Sequence, residues 1–215
     1  QFCEKLSDLP ILFEPGEKWH YSNSIDVLGR VIEVVSGVPF DEFLSENIFK
    51  PLEMEDTGFF VEEDKLFRFA DCYQTMIGSK TKKMAISHIA GEDEFSKKRN
   101  FLSGGGGLCS TISDYANFCQ MLLNKGIFKG KRILSPTTID FMTKNHLNSE
   151  TVVDIAGETP EGFRSQQHLN NLVRPDNFGN QSASAIGRVG FGFGLGFGVV
   201  TDSTAIGIMG SDGEY

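Results

Sequence analysis

Tyr21 and Asn23 are the two side chains best placed to do chemistry, within Trp19-His20-Tyr21-Ser22-Asn23. The pentapeptide brings a phenol, a hydroxyl and a carboxamide to the point where a loop runs into a helix. Side chains two apart in an extended segment face the same way, so Tyr21 and Asn23 can share a face while Ser22 points elsewhere. A phenol beside a carboxamide suits proton relay with an orienting group, but it needs a nucleophile opposite. Tyr21 also reads as a half-buried anchor of the helix entrance. A phenol titrates near ~10 and accepts a proton at neutral pH only beside a cation that lowers that value. Asn23 reads equally as a group that orients a substrate or a catalytic Lys, or as an N-cap with Asp26 in the first turn behind it.

The elements that would position this pair are legible around it. Pro15-Gly16 makes a turn, and a helix opens near Ser24. Ile25, Leu28, Val31, Ile32 and Val35 recur at helical spacing, and Gly37 with Pro39 ends the run. A second helix carries Phe40, Phe43, Leu44 and Ile48 on one face and stops at Pro51. The short Gly37-Val38-Pro39 link predicts that the two pack as a hairpin. Residues 52–100 read as long loops with a few short strands.

The run Gly104-Gly105-Gly106-Gly107 follows, then Thr111-Ile112-Ser113-Asp114, which reads as a cap for a third helix. Tyr115, Phe118, Cys119 and Leu122 are its expected apolar face and Gly126 its stop. Ser135-Pro136 opens a fourth helix, with Ile139 and Met142 facing inward. Residues 147–188 are polar and unpatterned over a length that suggests a functional or mobile loop. Phe191, Phe193, Leu195, Phe197 and Val199 then alternate with glycines. The alternation predicts a single strand over 191–199 with one bare face open to close approach by another backbone, and a paired return over 205–209.

The totals are those of a globular chain of one or two domains: 215 residues, 40% hydrophobic and 23% charged. The net charge of -9 repels phosphate backbones and anionic headgroups, which argues against nucleic acid or membrane as a partner. Lys80, Lys82 and Lys83, and Lys97, Lys98 and Arg99, read as solvated loops. No apolar run approaches the ~18 residues needed to span a bilayer. No secretory signal is visible, and with Gln1 in place of an initial Met its absence carries no information. Cys3, Cys72, Cys109 and Cys119 lack metal or disulfide-framework spacing. Cys109 and Cys119 read as buried thiols, a pattern that leans towards a reducing compartment. His20, His88, His146 and His168 form no zinc motif, and no cofactor fingerprint is present. The glycine runs lack a phosphate-loop ending and read as sites of close backbone approach.

Pro15-Gly16-Glu17-Lys18-Trp19-His20-Tyr21-Ser22-Asn23, followed by Asp26-Val27-Leu28-Gly29, resembles the second motif region of the serine β-lactamase and penicillin-binding-protein superfamily. It is most similar to class C β-lactamases and their esterase-like branch. The resemblance continues through Pro39 to Leu44, Pro51 to Phe59, Gly104 to Thr111 with Asp114-Tyr115, and Gly194 to Val200. These blocks span most of the chain in the family's order.

The resemblance implies an α/β fold of α+β type. It would have an antiparallel sheet with flanking helices and a mostly helical subdomain, incomplete in this chain. Residues 1–188 would be the helical subdomain with its loops, and 189–215 the start of the C-terminal sheet portion. It implies a serine hydrolase working through an acyl-enzyme on a small-molecule ester or amide. Tyr21 would be catalytic and Asn23 substrate-binding, with no metal. Carboxylesterase chemistry comes first. β-Lactamase or D-amino-acid peptidase activity, or a non-catalytic ligand-binding homologue, are the alternatives. The family's S-x-x-K and K-T-G-type motifs are absent at the expected places, so the chain reads as an internal piece, inactive alone.

Ser79-Lys80-Thr81-Lys82 matches S-x-x-K literally, but after the Tyr motif and without the apolar helix that would desolvate the Lys. Ser79→Ala should therefore leave ester hydrolysis by the natural full-length protein unchanged. A rate abolished by that substitution would make Ser79 the nucleophile.

Overall fold

A computed structural model describes residues 2–11, 13–17, 19–20, 22–70, 95–147, 153–154 and 191–202. They divide into two compact units: Gln1–Ser22 with Pro136–Tyr215, and Asn23–Ser135.

The unit Asn23–Ser135 begins with α2 (Ser24–Ser36), the second helix of the chain after the short α1 (Phe2–Ser7) of the other unit. Gly37 ends α2 in the left-handed conformation at φ 71°, donating its N–H to Glu33. This is the stop that its lack of a side chain permits. α3 (Phe40–Leu44) follows at once. Its continuation, Ser45–Phe49, widens into a π-turn before Pro51, with Lys50 N–H donating to the Ser45 carbonyl at 2.9 Å.

α2 and α3 do pack together, but not through the expected stripe. Ile25, Leu28, Val31 and Val35 are exposed, Val35 by 81%. The buried residue of α2 is Gly29, where an added Cβ would lie 3.3 Å from the Phe40 ring. Absence of a side chain at Gly29 lets Phe40 seat against the helix, which turns the aliphatic stripe outward. Glu33 adds a carboxylate oxygen that accepts the Phe40 N–H at 3.3 Å. Phe40 in turn meets Phe59 at 5.6 Å, and Phe49, Leu52 and Met54 complete this part of the core.

α4 (Ile112–Leu123) begins as its sequence predicts, with Thr111 Oγ1 accepting the Asp114 N–H. Of its expected inward face, Leu122 is buried and Phe118 and Cys119 are half-buried, but Tyr115 is not. Asp114, Met121 and Leu122 are buried, while Tyr115 is 61% exposed and stacks on Phe118. Asp114 takes the inward position because its carboxylate accepts the Asp56 N–H at 2.8 Å and the Thr57 hydroxyl at 2.7 Å. Thr57 also meets Ser110 Oγ at 2.8 Å, and Gly58 bridges Cys109 antiparallel. The Asp56-Thr57-Gly58 loop is thus stitched to the start of α4. Gly126, at φ 88°, follows, and the hairpin of β2 (Ile127–Phe128) and β3 (Lys131–Arg132) closes beyond it.

The other unit contains β1 (Trp19–His20), paired in parallel with β4 (Val153–Asp154) in the register Trp19 to Val153. α5 (Pro136–Met142) has its proline in the first turn and Ile139 fully buried. The glycine-alternating segment is a hairpin and not the single strand expected over 191–199. β5 (Phe191–Phe193) turns through Gly194-Leu195-Gly196-Phe197 and returns as β6 (Gly198–Val200). Gly196 supplies a φ of 89°, and Gly194 N–H donates to Phe197 O at 2.7 Å. Two strands of alternating character joined by a glycine turn look like one in sequence.

The bare face meets another backbone at Gly194 and a side chain at Gly192. A Cβ at Gly194 would lie 2.3 Å from the Met142 carbonyl, and one at Gly192 would meet Asn145 at 2.3 Å. Asn145 Oδ1 accepts the Phe193 N–H, and His146 N–H donates to the Phe193 carbonyl. The return strand expected over 205–209 and the loop expected over 147–188 lie largely outside the described residues, β4 excepted.

Asp56 ties the next turn of chain down. Lys65 and Arg68, on the 3₁₀ helix Glu63–Arg68, reach its two oxygens at 2.6 and 2.7 Å. Their hydrogen bonds, Lys65 first, hold the Asp56 carboxyl below its ordinary 3.8. A carboxyl depressed in the folded state adds stability above its unfolded value and loses it as pH falls through the folded one. The stability difference between the protein and its Asp56→Asn variant should stay constant from neutral pH to about 5 and shrink below about 4, as measured by urea unfolding across pH.

Candidate active site

The chain enters the Tyr motif along β1. Within its own unit the Trp19 ring packs against Phe193 at 5.2 Å, tilted by 55°. Tyr21 lies outside the described residues. Ser22 and Asn23 are exposed. Asn23 stands at the N-cap position of α2 with φ -86° and ψ 19°, and its side chain caps no N–H. Its carbonyl accepts the Val27 N–H at 3.1 Å, the first bond of the helix. The capping role that the sequence allowed is therefore not the one Asn23 plays here, and its carboxamide is left facing solvent.

The first turn of α2 is held from outside the helix. Asp26 Oδ1 accepts the Ser103 hydroxyl at 2.6 Å and the Gly105 N–H at 3.3 Å. Gly104 sits on the helix backbone, where an added Cβ would fall 2.4 Å from the Ile25 carbonyl oxygen. At Gly107 a Cβ would meet the Ser103 carbonyl at 2.9 Å and the Phe59 ring at 3.0 Å. The glycine run is thus a site of close backbone approach, as its composition predicts, and what it approaches is the helix that follows the Tyr motif. Sequence reasoning saw Asp26 only as a first-turn carboxylate. Its tie to Ser103, 77 residues away, has no local signal.

Two clefts lined by described residues of the Asn23–Ser135 unit include neither Asn23 nor Asp26. One, of about 640 Å³, is bordered by Asp56, Lys65, Arg68 and Ser110. The other, of about 610 Å³, runs along α3 and the π-turn. Their charged groups belong largely to the ion pairs that hold the loops. Cys109, beside the first cleft, is half-buried and unbridged, and burial pushes its thiol up to about 11. Among the described residues no cluster of three His, Cys, Asp or Glu could hold a metal, and no helix is long and apolar enough to cross a membrane. Ser79 lies outside the described residues, as do Lys80, Lys82 and Lys83. In the second basic cluster, Lys98 pairs with Asp41 at 2.6 Å and Arg99 lies over the Phe95 ring.

This arrangement is one of a known class. The sequence model of the Beta-lactamase family matches residues 1–214, and the chain belongs to that family. That family lies within the serine β-lactamase and penicillin-binding-protein superfamily that the sequence resembles. Protein Rv1367c of Mycobacterium tuberculosis is 33% identical over 147 residues, covering 67% of this chain and 35% of that protein. Lovastatin esterase of Penicillium rubens is 31% identical over 153 residues, covering 70% of this chain and 36% of the esterase. Among solved structures, unliganded simvastatin synthase (LovD) from Aspergillus terreus superposes with a TM-score of 0.63 at 22% identity, over 90% of this chain and 43% of that one. That likeness establishes the fold, the β-lactamase/transpeptidase-like one expected. The chain spans about a third of the length of the curated relatives named here.

The glycine run makes a contrast that can be measured. Gly104→Ala forces a methyl into the Ile25 carbonyl and should destabilise by roughly 1–3 kcal/mol. Gly106→Ala, with open space around its Cβ, should stay within about 0.5 kcal/mol of the parent. Urea unfolding of the two variants side by side checks both values.

Proposed function

We propose that the natural full-length protein is a serine hydrolase that acylates its serine with a small ester and then hydrolyses the acyl-enzyme. Carboxylesterase activity is the form we favour. The nucleophile and its Lys would come from sequence outside these 215 residues, since the chain supplies only the Tyr motif of the family's three. Tyr21 would relay the proton between nucleophile and leaving group, its phenol made acidic by neighbouring Lys ammonium groups. Asn23 would orient the acyl group or the catalytic Lys through its carboxamide.

The observation that carries this reading is the state of Asn23. An asparagine at an N-cap position ordinarily accepts an N–H of the first turn. Here it does not, and the helix start is held instead by Asp26 and the glycine turn. A carboxamide released from capping duty is available to a substrate. The 31% identity to a protein named lovastatin esterase supports an ester over a β-lactam as substrate.

A fluorophosphonate probe on the full-length protein, followed by peptide mapping, tests the proposal. The label is expected on an S-x-x-K serine outside residues 1–215, and Tyr21→Phe should lower kcat for a p-nitrophenyl ester by about 10²–10⁴-fold. A label on Ser79, or an unlabelled protein that hydrolyses no ester, would overturn it.

A further inference from the structure

Asp26 spends its hydrogen-bonding capacity in an unusual direction. A carboxylate in the first turn of a helix ordinarily serves that helix, through its dipole or its free N–H groups. The Asp26 carboxylate reaches sideways to Ser103 and Gly105, on a turn 77 and 79 residues along the chain. The Ser103 hydroxyl at 2.6 Å is a short, charge-assisted bond. The turn cannot move closer to α2 or carry side chains on the residues that face it, since Gly104 already rests on the Ile25 carbonyl and a Cβ at Gly105 would lie 3.2 Å from Asp26 Oδ2. Its far end is fixed as well. Gly107 N–H donates to Ser103 O, and Cys109 exchanges both backbone hydrogen bonds with Gly58. The first turn of α2 is thus clasped to an anchored loop at the residues that directly follow Asn23.

We infer that Asp26 is a positioning residue: its clasp on Ser103 and Gly105 holds the first turn of α2 so that the uncapped Asn23 carboxamide keeps a fixed direction towards substrate. The inference rests on the proposed role of Asn23 and adds to it the group that makes that role possible. A side chain released from capping loses the contact that would otherwise fix its backbone, and the clasp replaces it from outside the helix. Orientation matters because a small misplacement of a substrate-positioning group costs rate far more than it costs stability.

Two readouts on the full-length protein test this, one of them independent of activity. In Asp26→Ala, amide exchange at Val27, whose N–H bonds the Asn23 carbonyl, should quicken about tenfold, the scale set by losing a hydrogen bond to a charged group. The Tyr115 amide of α4 should not change. Ser103→Ala, which leaves Asp26 in place, should act in the same direction and guards against a misfolded variant. Unmoved exchange at Val27 in both variants would overturn the inference whatever the enzyme does.

For hydrolysis of a p-nitrophenyl ester, Asp26→Ala should lower kcat about tenfold with little change in KM. It should cost nothing further in an Asn23→Ala background, because residues acting through one another are not additive. Losses that multiply in the double variant would show that Asp26 does not act through Asn23, and the inference would fall. A parent protein that hydrolyses no ester would sink the proposed function instead, leaving the Val27 exchange to decide the clasp.

Discussion

The contact on which the Asn23–Ser135 unit turns is one that only a missing side chain allows. Gly104 rests on the Ile25 carbonyl at a separation where any Cβ would stand 2.4 Å from oxygen. That seat brings Ser103 and Gly105 within reach of Asp26, so the polar clasp follows from the steric fit. Gly29, four residues beyond Ile25 on the same helix, repeats the device by admitting the Phe40 ring. α2 is therefore held at two points along one side, by a backbone at Ile25 and an aromatic at Gly29. Most of its aliphatic side chains, Val27 and Ile32 excepted, are left outside, which is the reverse of the usual way an amphipathic helix is held.

Buried charge does the complementary work at the start of α4. Asp114 is 7% exposed, and an ionised carboxylate there would be costly without partners. Asp56 N–H and the Thr57 hydroxyl satisfy it, and Asp56 uses its own carboxylate on Lys65 and Arg68. One acidic residue fixes a backbone, and the neighbouring acidic residue fixes the helix beyond. The result is an irregular stretch of chain held by named hydrogen bonds where regular secondary structure is sparse. Phe59 and Gly107 then join this knot to the glycine turn, so the loops that carry little regular structure are the ones that position α2.

Local chemistry was legible wherever a signal is carried by adjacent residues. The α2 stop at Gly37, the Thr111 cap and the proline opening of α5 all stand as read, because each is decided within one helical turn. The order of the motif blocks gave the family, since those blocks carry the residues that meet one another. Faces were harder. Spacing identified α2 and α4 as helices, yet Ile25, Leu28, Val31 and Val35 of the α2 stripe and Tyr115 of α4 are exposed, because hydrophobic period says that a stripe exists and not what covers it. The glycine alternation over 191–199 likewise hid a turn, since Gly196 serves equally in a strand and in a reversal until its φ is known.

What the sequence determined by itself was therefore local structure and kind: the helix limits, the family and the need for close approach at its glycines. What only the tertiary structure decided was partnership. No pattern near Asp26 foretells Ser103, and none near Gly192 foretells Asn145. The physical reason is that close approach and hydrogen bonding are properties of pairs distant along the chain. A sequence records each member's capacity to make such a contact, and only the folded chain determines which other member answers it.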